Sequence, residues 1–250
     1  MKKSVPLRVM ITTAIVLVMT LVSALPALAA ETVTFTVPSD DSYLNNRQQN
    51  TNYGSGDTMY VNTSRHSMVM FDISSIPAGA TITSAVLKLY VTNVEAFLPS
   101  KTIINGVHRV LANWNETTVT WNNPGSDPGT HYAASDTDTV TIHGGWGDEN
   151  EYQEWVVTDD VSAFVNGTAD NYGWRVIYEG GSAILKTVDY ATKEGAGAKC
   201  PPDPEPPQLV VTYIEVSTPE IPSIMAAVGI MGISSSTYFI IRKRLNLNPS

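Results

Sequence analysis

The sequence predicts an all-β fold, a jelly-roll-like antiparallel β-sandwich, with an N-terminal signal peptide in front of it and a single C-terminal transmembrane helix behind. Three observations predict this. Short β-branched and aromatic runs, broken by Gly, Pro, Asn and Asp clusters, fill the middle of the chain. An apolar run with a basic start opens it. A charge-free run followed at once by Arg242-Lys243-Arg244 lies near its end.

The first element, residues 1–29, has the three parts of an export signal. Lys2, Lys3 and Arg8 make a positive start, residues 9–25 are mostly apolar, and Ala27-Leu28-Ala29 offers the small side chains that signal peptidase accepts. Cleavage after Ala29 leaves a mature chain beginning at Ala30. An uncleaved signal anchor would place the same domain on the same outer side.

Residues 30–214 form the predicted β-domain. The clearest strand is 82–91, where Ala85, Leu87, Leu89 and Val91 share one face and Val86, Lys88 and Tyr90 the other, the period of two of a half-buried strand. Further strands are expected at 32–37, 58–62, 67–73, 102–111, 118–121, 139–143, 154–158, 174–178, 183–188 and 209–214, a number and spacing that argue for a sandwich. One short helix is expected at 159–166, capped by Thr158 or Asp159 and ended by Gly167, with Val161, Phe164 and Val165 on its apolar side. The Pro-rich stretch 201–207 reads as an extended connection, since Pro donates no ladder hydrogen bond. No internal repeat is visible.

After a linker at 215–220, residues 221–241 contain no charge, and at about 1.5 Å per residue they would span roughly 30 Å, the thickness of a bilayer core. The basic tail 242–250 is expected in the cytoplasm, because Lys and Arg stay on that side, which leaves the β-domain outside.

Composition narrows the function classes. Signal cleavage removes three of the 15 basic residues and none of the 24 acidic ones, so the exported chain carries a net charge of about −12. That charge argues against nucleic acid and against broad capture of acidic polymers, although a local basic patch remains compatible with it. Cys200 is the single cysteine, so no internal disulfide and no cysteine metal cluster can form. Asn62, Asn115 and Asn166 each begin a glycosylation sequon.

Candidate ligand contacts come from aromatic residues. The five tryptophans, Trp114, Trp121, Trp146, Trp155 and Trp174, fall in the second half of the β-domain, and aromatic faces stack on the C–H patches of sugars. Trp146 sits in the glycine-rich string His143-Gly144-Gly145-Trp146-Gly147-Asp148, which suits an exposed loop; Tyr132, His143 and Tyr152 are the nearby polar candidates. Asp40, Asp41, Asn52 and Asp57 are the candidate oxygen ligands for a structural calcium ion, in a spacing that matches no EF-hand; ordinary turn chemistry explains the same residues. Glu151, Glu154, Asp159 and Asp160 are carboxylates that glycosidase chemistry could use, and solvated turn or helix-start positions account for them equally. No catalytic pair is identifiable from spacing, and His66, His108, His131 and His143 show no metal-ligand spacing.

A series of strings along the domain carries a resemblance. In order they are Asp41-Ser42-Tyr43-Leu44, Asn52-Tyr53-Gly54, Met70-Phe71-Asp72-Ile73-Ser74-Ser75-Ile76-Pro77 and residues 82–90. They continue with Trp114-Asn115-Glu116-Thr117-Thr118-Val119-Thr120-Trp121, Asn171-Tyr172-Gly173-Trp174 and Leu209-Val210-Val211-Thr212-Tyr213. Together they resemble the DNRLRE-type domain, also seen as the disaggregatase-related module and as family 96 of the carbohydrate-binding modules. The segment 186–207 is longer and more Pro-rich than that pattern, and the string that names the domain is absent. The resemblance implies a cell-surface module that binds polysaccharide or cell-envelope glycan. A structural adhesion protein and a glycan-degrading lyase or glycosidase are the competing classes. The tail, Pro219-Glu220-Ile221-Pro222 followed by the apolar segment and the basic triplet, resembles PEF-CTERM sorting signals of methanogenic archaea, with Ile221 where Phe is usual. That resemblance implies removal of the tail by an archaeosortase and attachment to lipid.

Overall fold

A computed structural model describes residues 29–95, 98, 100–144, 147–183, 186–196 and 204–215. The export signal, the 221–241 segment, the sorting motif Pro219, Glu220, Ile221 and Pro222, and Trp146 lie outside these residues. Among the described residues no helix is long and apolar enough to cross a membrane.

Residues 29–215 form one unit, a β-sandwich of two antiparallel sheets. In chain order the strands are β1 (Ala30–Phe35), β2 (Asp40–Asn45), β3 (Thr58–Val61), β4 (Arg65–Met70), β5 (Thr81–Val94), β6 (Thr102–Arg109), β7 (Asp138–His143) and β8 (Tyr152–Val156). The helix α1 (Thr158–Val165) follows, then β9 (Trp174–Gly181), β10 (Val188–Ala191) and β11 (Gln208–Ile214). One sheet runs β1-β11-β5-β10-β3, with β8 also paired to β5; the other runs β2-β4-β9-β6-β7. The 14-residue β5 is the spine of the first sheet: β11 pairs along Thr81 to Lys88, β8 along Val86 to Tyr90, and β10 along its last residues.

The alternation read in β5 is the alternation observed. Ala85, Leu87, Leu89 and Val91 are fully buried, and they meet Val69, Ile103, Val107, Ile142, Trp174 and Val176 from the other sheet in one continuous core. Burying each of Leu87, Leu89 and Val91 contributes about 1.5–3 kcal/mol, which is what fixes the register. Asn105 links the layers with polar bonds, its carbonyl accepting from Trp155 Nε1 at 3.1 Å and its side-chain amide donating to the Tyr190 hydroxyl at 2.9 Å.

Four expectations are corrected. Of the expected strand 183–188, residues 183, 186 and 187 lie outside any strand and, among the described residues, only Val188 is in one, opening β10 where it pairs with Val61 and Val94. Asp40 and Asp41, for which the sequence suggests turn chemistry, belong to β2, because Asp41 pairs opposite Val69 and its side chain is buried. Residues 118–121 form no strand; they belong to a loop in which Thr118 and Val119 N–H donate to Asn115 O. The helix starts at Thr158 with Val157 as its N-cap and no side-chain cap, since Thr158 Oγ1 instead accepts from Ala85 N–H at 3.0 Å. Gly167 does end it, with a φ of 67°.

The outer face of the second sheet is not solvated. Leu44 and Met68 on that face pack with Val110, Trp114 and Val119 from the segment after β6, forming a second apolar cluster that Trp121 and Tyr172 flank. Arg175, fully buried on β9, lies 4.6 Å from the Tyr132 ring centre and 5.2 Å from that of Trp121. Its Nε donates to His66 Nδ1 at 2.9 Å and its Nη2 to Ser126 Oγ at 3.1 Å. Burial lowers the Arg175 guanidinium to about 10, still charged at neutral pH.

Candidate functional site

At the end of the sandwich where β2 finishes, β3 turns into β4 and β10 begins, a cleft of about 220 Å³ is lined by Asn45, Arg47, Asn62, Arg65, Lys186 and Thr187 among others, none of them acidic. The turn holding it is fixed by its own side chain. Asn62 Oδ1 accepts from the N–H of Ser64 at 2.8 Å and of Arg65 at 2.9 Å, and Nδ2 donates to Thr187 Oγ1 at 3.3 Å, tying the hairpin to the approach to β10. On the facing loop Asn45 Oδ1 accepts from Arg47 N–H at 3.0 Å.

Aromatic rings continue the cleft. The Arg65 guanidinium stands 4.9 Å from the Tyr60 ring centre, Tyr43 meets Tyr60 edge-on at 5.0 Å, and Tyr43 stacks on Tyr53 at 4.1 Å. Burial pushes the Tyr43 phenol up to about 12, with Tyr53 adding to it, so the Tyr43 ring stays neutral. Lys186 lies 5.1 Å from the Tyr178 ring centre. The seven ion pairs formed among the described residues involve neither Arg47, Arg65 nor Lys186. Three cations without an ion-pair partner among the described residues, with side-chain amides and hydroxyls beside half-exposed tyrosine rings, can hold an oxygen-rich, anionic ligand, because guanidinium forks give directional bonds to carboxylate and hydroxyl groups.

Three of the four sequence-predicted ligand residues are described, each in a different setting. Tyr132 is buried on the outer face of the second sheet, edge-on to His108 at 5.6 Å and under Arg175, with its phenol raised by burial. Tyr152 belongs to β8 in the first sheet, where its hydroxyl donates to Pro206 O at 2.9 Å and accepts from Gln208 Nε2 at 2.7 Å; burial raises it. His143, at the end of β7, is exposed and bonded through its backbone N–H and Nδ1 to Asp148 Oδ2 at 2.5 and 3.2 Å. The cleft is not visible in the sequence as a site because its cations come from three separate segments; Asn62 appears there only as a sequon, and Arg65, just beyond the expected strand 58–62, is the one local basic signal.

The candidate metal ligands divide. Asn52 is a structural clamp, its amide donating to Glu116 O at 2.7 Å and Val119 O at 2.8 Å while Oδ1 accepts from Gly54 N–H at 3.2 Å. Asp40 Oδ1 accepts from Glu116 N–H at 3.0 Å, and Asp57 Oδ1 from Thr58 Oγ1 at 3.2 Å. Asp41 alone of the four joins other acids, with one oxygen each from Asp41, Glu116 and Glu194 lying within 4.8 Å of one another. Burial, with Glu194 and Glu116 beside it and Lys193 opposing them, pushes the Asp41 carboxyl up to about 7.

Two of the four carboxylates considered for catalysis have structural partners. Buried Asp160 accepts from Thr137 Oγ1 at 2.7 Å and Trp174 Nε1 at 2.9 Å through Oδ2, and from Arg109 at 3.4 Å through Oδ1. Glu154 pairs with Lys88 at 2.7 Å on the sheet surface.

Residues 31–213 match the model of carbohydrate-binding module family 96. No curated protein matches the chain. The match covers most of the chain, from within a residue of the start of β1 to within a residue of the end of β11, with the Asn52, Glu116 and Gly173 contacts inside it. The chain belongs to carbohydrate-binding module family 96.

Proposed function

We propose that this protein is an exported, non-catalytic surface module that binds an acidic polysaccharide of a cell envelope or matrix through the cleft of Arg47, Arg65 and Lys186. The observation that carries it is that cleft: three cations with no carboxylate partner among the described residues, beside tyrosine rings, on a chain of net charge −9. Family membership supports a carbohydrate ligand, and the cation chemistry favours uronate-like or sulfated chains over neutral ones. The apolar opening run and the charge-free segment before Arg242-Lys243-Arg244 support export and outward display. The PEF-CTERM-like tail supports a methanogen host and archaeosortase processing in place of a permanent membrane anchor. Mass spectrometry of the mature C-terminus checks this; an intact basic triplet refutes processing.

A glycan array probed with the mature chain tests the ligand. Acidic polysaccharides are expected to bind and neutral ones not, with Arg65→Ala weakening binding roughly 10- to 100-fold, the loss of a charge-assisted contact of about 1.5–3 kcal/mol. Absence of binding to every glycan would leave the structural adhesion protein as the better account. Release of shortened products from a bound polymer would establish the enzyme.

A further inference from the structure

Opposite ends of β2 carry opposite chemistry. At its Asn45 end lies the basic cleft; at its Asp40 end three acids from three separate segments meet, Asp41 on β2, Glu116 in the loop after Trp114, and Glu194 just beyond β10. Asp41 is fully buried: its Oδ2 accepts from Lys193 N–H at 2.8 Å, while its Oδ1 is buried with no donor. An uncompensated buried carboxylate oxygen is costly and points to a missing electrostatic partner. Among the described residues the cation present is the Lys193 ammonium, 2.5 Å from Glu116 Oε1, 3.2 Å from the Ser39 carbonyl and 3.8 Å from Glu194 Oε1. One positive charge thus faces three carboxylates.

We propose that Asp41, Glu116 and Glu194 form a divalent-cation site suited to Ca²⁺, in which the Lys193 ammonium is the exchangeable occupant. Oxygens within 4.8 Å of one another can all lie at the 2.3–2.6 Å that Ca²⁺ takes from its ligands. The Ser39 carbonyl, now bonded to Lys193, is a fourth oxygen available to the ion, and water can complete a shell of six to eight because Glu194 faces solvent. Mg²⁺ suits the place poorly, since it demands a tight octahedron and dehydrates reluctantly. Ca²⁺ would fasten β2, the Trp114 loop and the segment after β10 to one point, replacing a long flexible side chain with an ion.

Calorimetric titration of the full chain with Ca²⁺ after chelator treatment, alongside thermal melting, tests the site. Ca²⁺ should bind with a stoichiometry of one and raise the Tm by several degrees, and Mg²⁺ should have less than about a tenth of that effect. Lys193→Met, which removes the resident cation, should bind Ca²⁺ at least about ten-fold tighter, and Glu194→Gln, on the solvent side, at least about ten-fold weaker. Absence of binding heat and of any Tm shift in both the wild type and Lys193→Met overturns the proposal. A Ca²⁺-induced rise undiminished in Glu194→Gln overturns the placement, and equal action of Mg²⁺ overturns the choice of ion. If Lys193→Met fails to fold, the comparison of wild type with Glu194→Gln decides the matter.

Discussion

Acidifying the protein from about pH 7 to about pH 5 tests the environment built around His66. Its Nδ1 accepts from Arg175 Nε at 2.9 Å, so that nitrogen must stay unprotonated, and its ring meets Trp121 edge-on at 5.0 Å. Burial, with the Arg175 charge and then His108 adding to it, lowers the imidazole from 6.5 to about 2. The sign follows from proton uptake: below 6.5 the unfolded chain binds a proton at His66 that the folded chain refuses until about pH 2. The stabilisation is complete above pH 6.5 and is lost as pH falls, at up to about 1.4 kcal/mol per unit. At about pH 5 that amounts to about 2 kcal/mol. Urea unfolding of wild type and His66→Asn at both pH values isolates the term, since Asn Oδ1 can take the place of Nδ1 as acceptor and cannot protonate. Every other ionisable side chain is the same in the two proteins. The wild type should lose about 2 kcal/mol more than the variant over this range; equal losses would refute the account.

Two further substitutions probe the frame. Asp160→Ala leaves the fully buried Trp174 N–H without its acceptor and Arg109 without its partner, and should cost about 3–5 kcal/mol in urea unfolding; a loss under about 1 kcal/mol would show that Asp160 is dispensable. Gly173 has a φ of 68°, and an added Cβ would lie 2.1 Å from Val69 O, whereas Gly167, with a φ of 67°, has nothing within 4 Å of that position. Gly173→Ala should therefore destabilise by at least about 3 kcal/mol and Gly167→Ala by about 1 kcal/mol, measured as paired melting curves; equal effects would contradict the close approach of β9 to β4.

What the sequence made legible was the part of the fold that local periodicity controls. β5 and β11 alternate cleanly because one face of each is core, and both lie within a residue or three of their expected bounds. β2 was missed because Asp40-Asp41-Ser42 has turn chemistry, and only long-range partners such as Glu116 and Lys193 make it a strand. Residues 118–121 failed in the opposite sense: their alternation is real, but Val119 packs in the outer cluster beneath a loop. The recurring strings proved to be cross-links between distant segments, as with Asn52 on the Trp114 loop and Asn171 Nδ2 on Phe71 O at 2.8 Å. Such bonds leave no periodic trace. The cleft is illegible for the same reason, since Arg47, Arg65 and Lys186 meet only once β2, β4 and β10 are in register.

The pairing of β1 with β11 places Ala30 opposite Ile214, and Ile214 opposite Thr81 at the start of β5. The cleft lies by Val188 and Val61, which register with Val94 at the far end of β5, about 40 Å along a 14-residue strand. Chain entry and chain exit are therefore adjacent, and both are remote from the cleft. A fluorophore, an affinity handle or a sensor chip attached at Ala30 or Ile214 of the β-domain should leave the cleft unobstructed, and the domain could be spliced into a host loop with these two ends side by side.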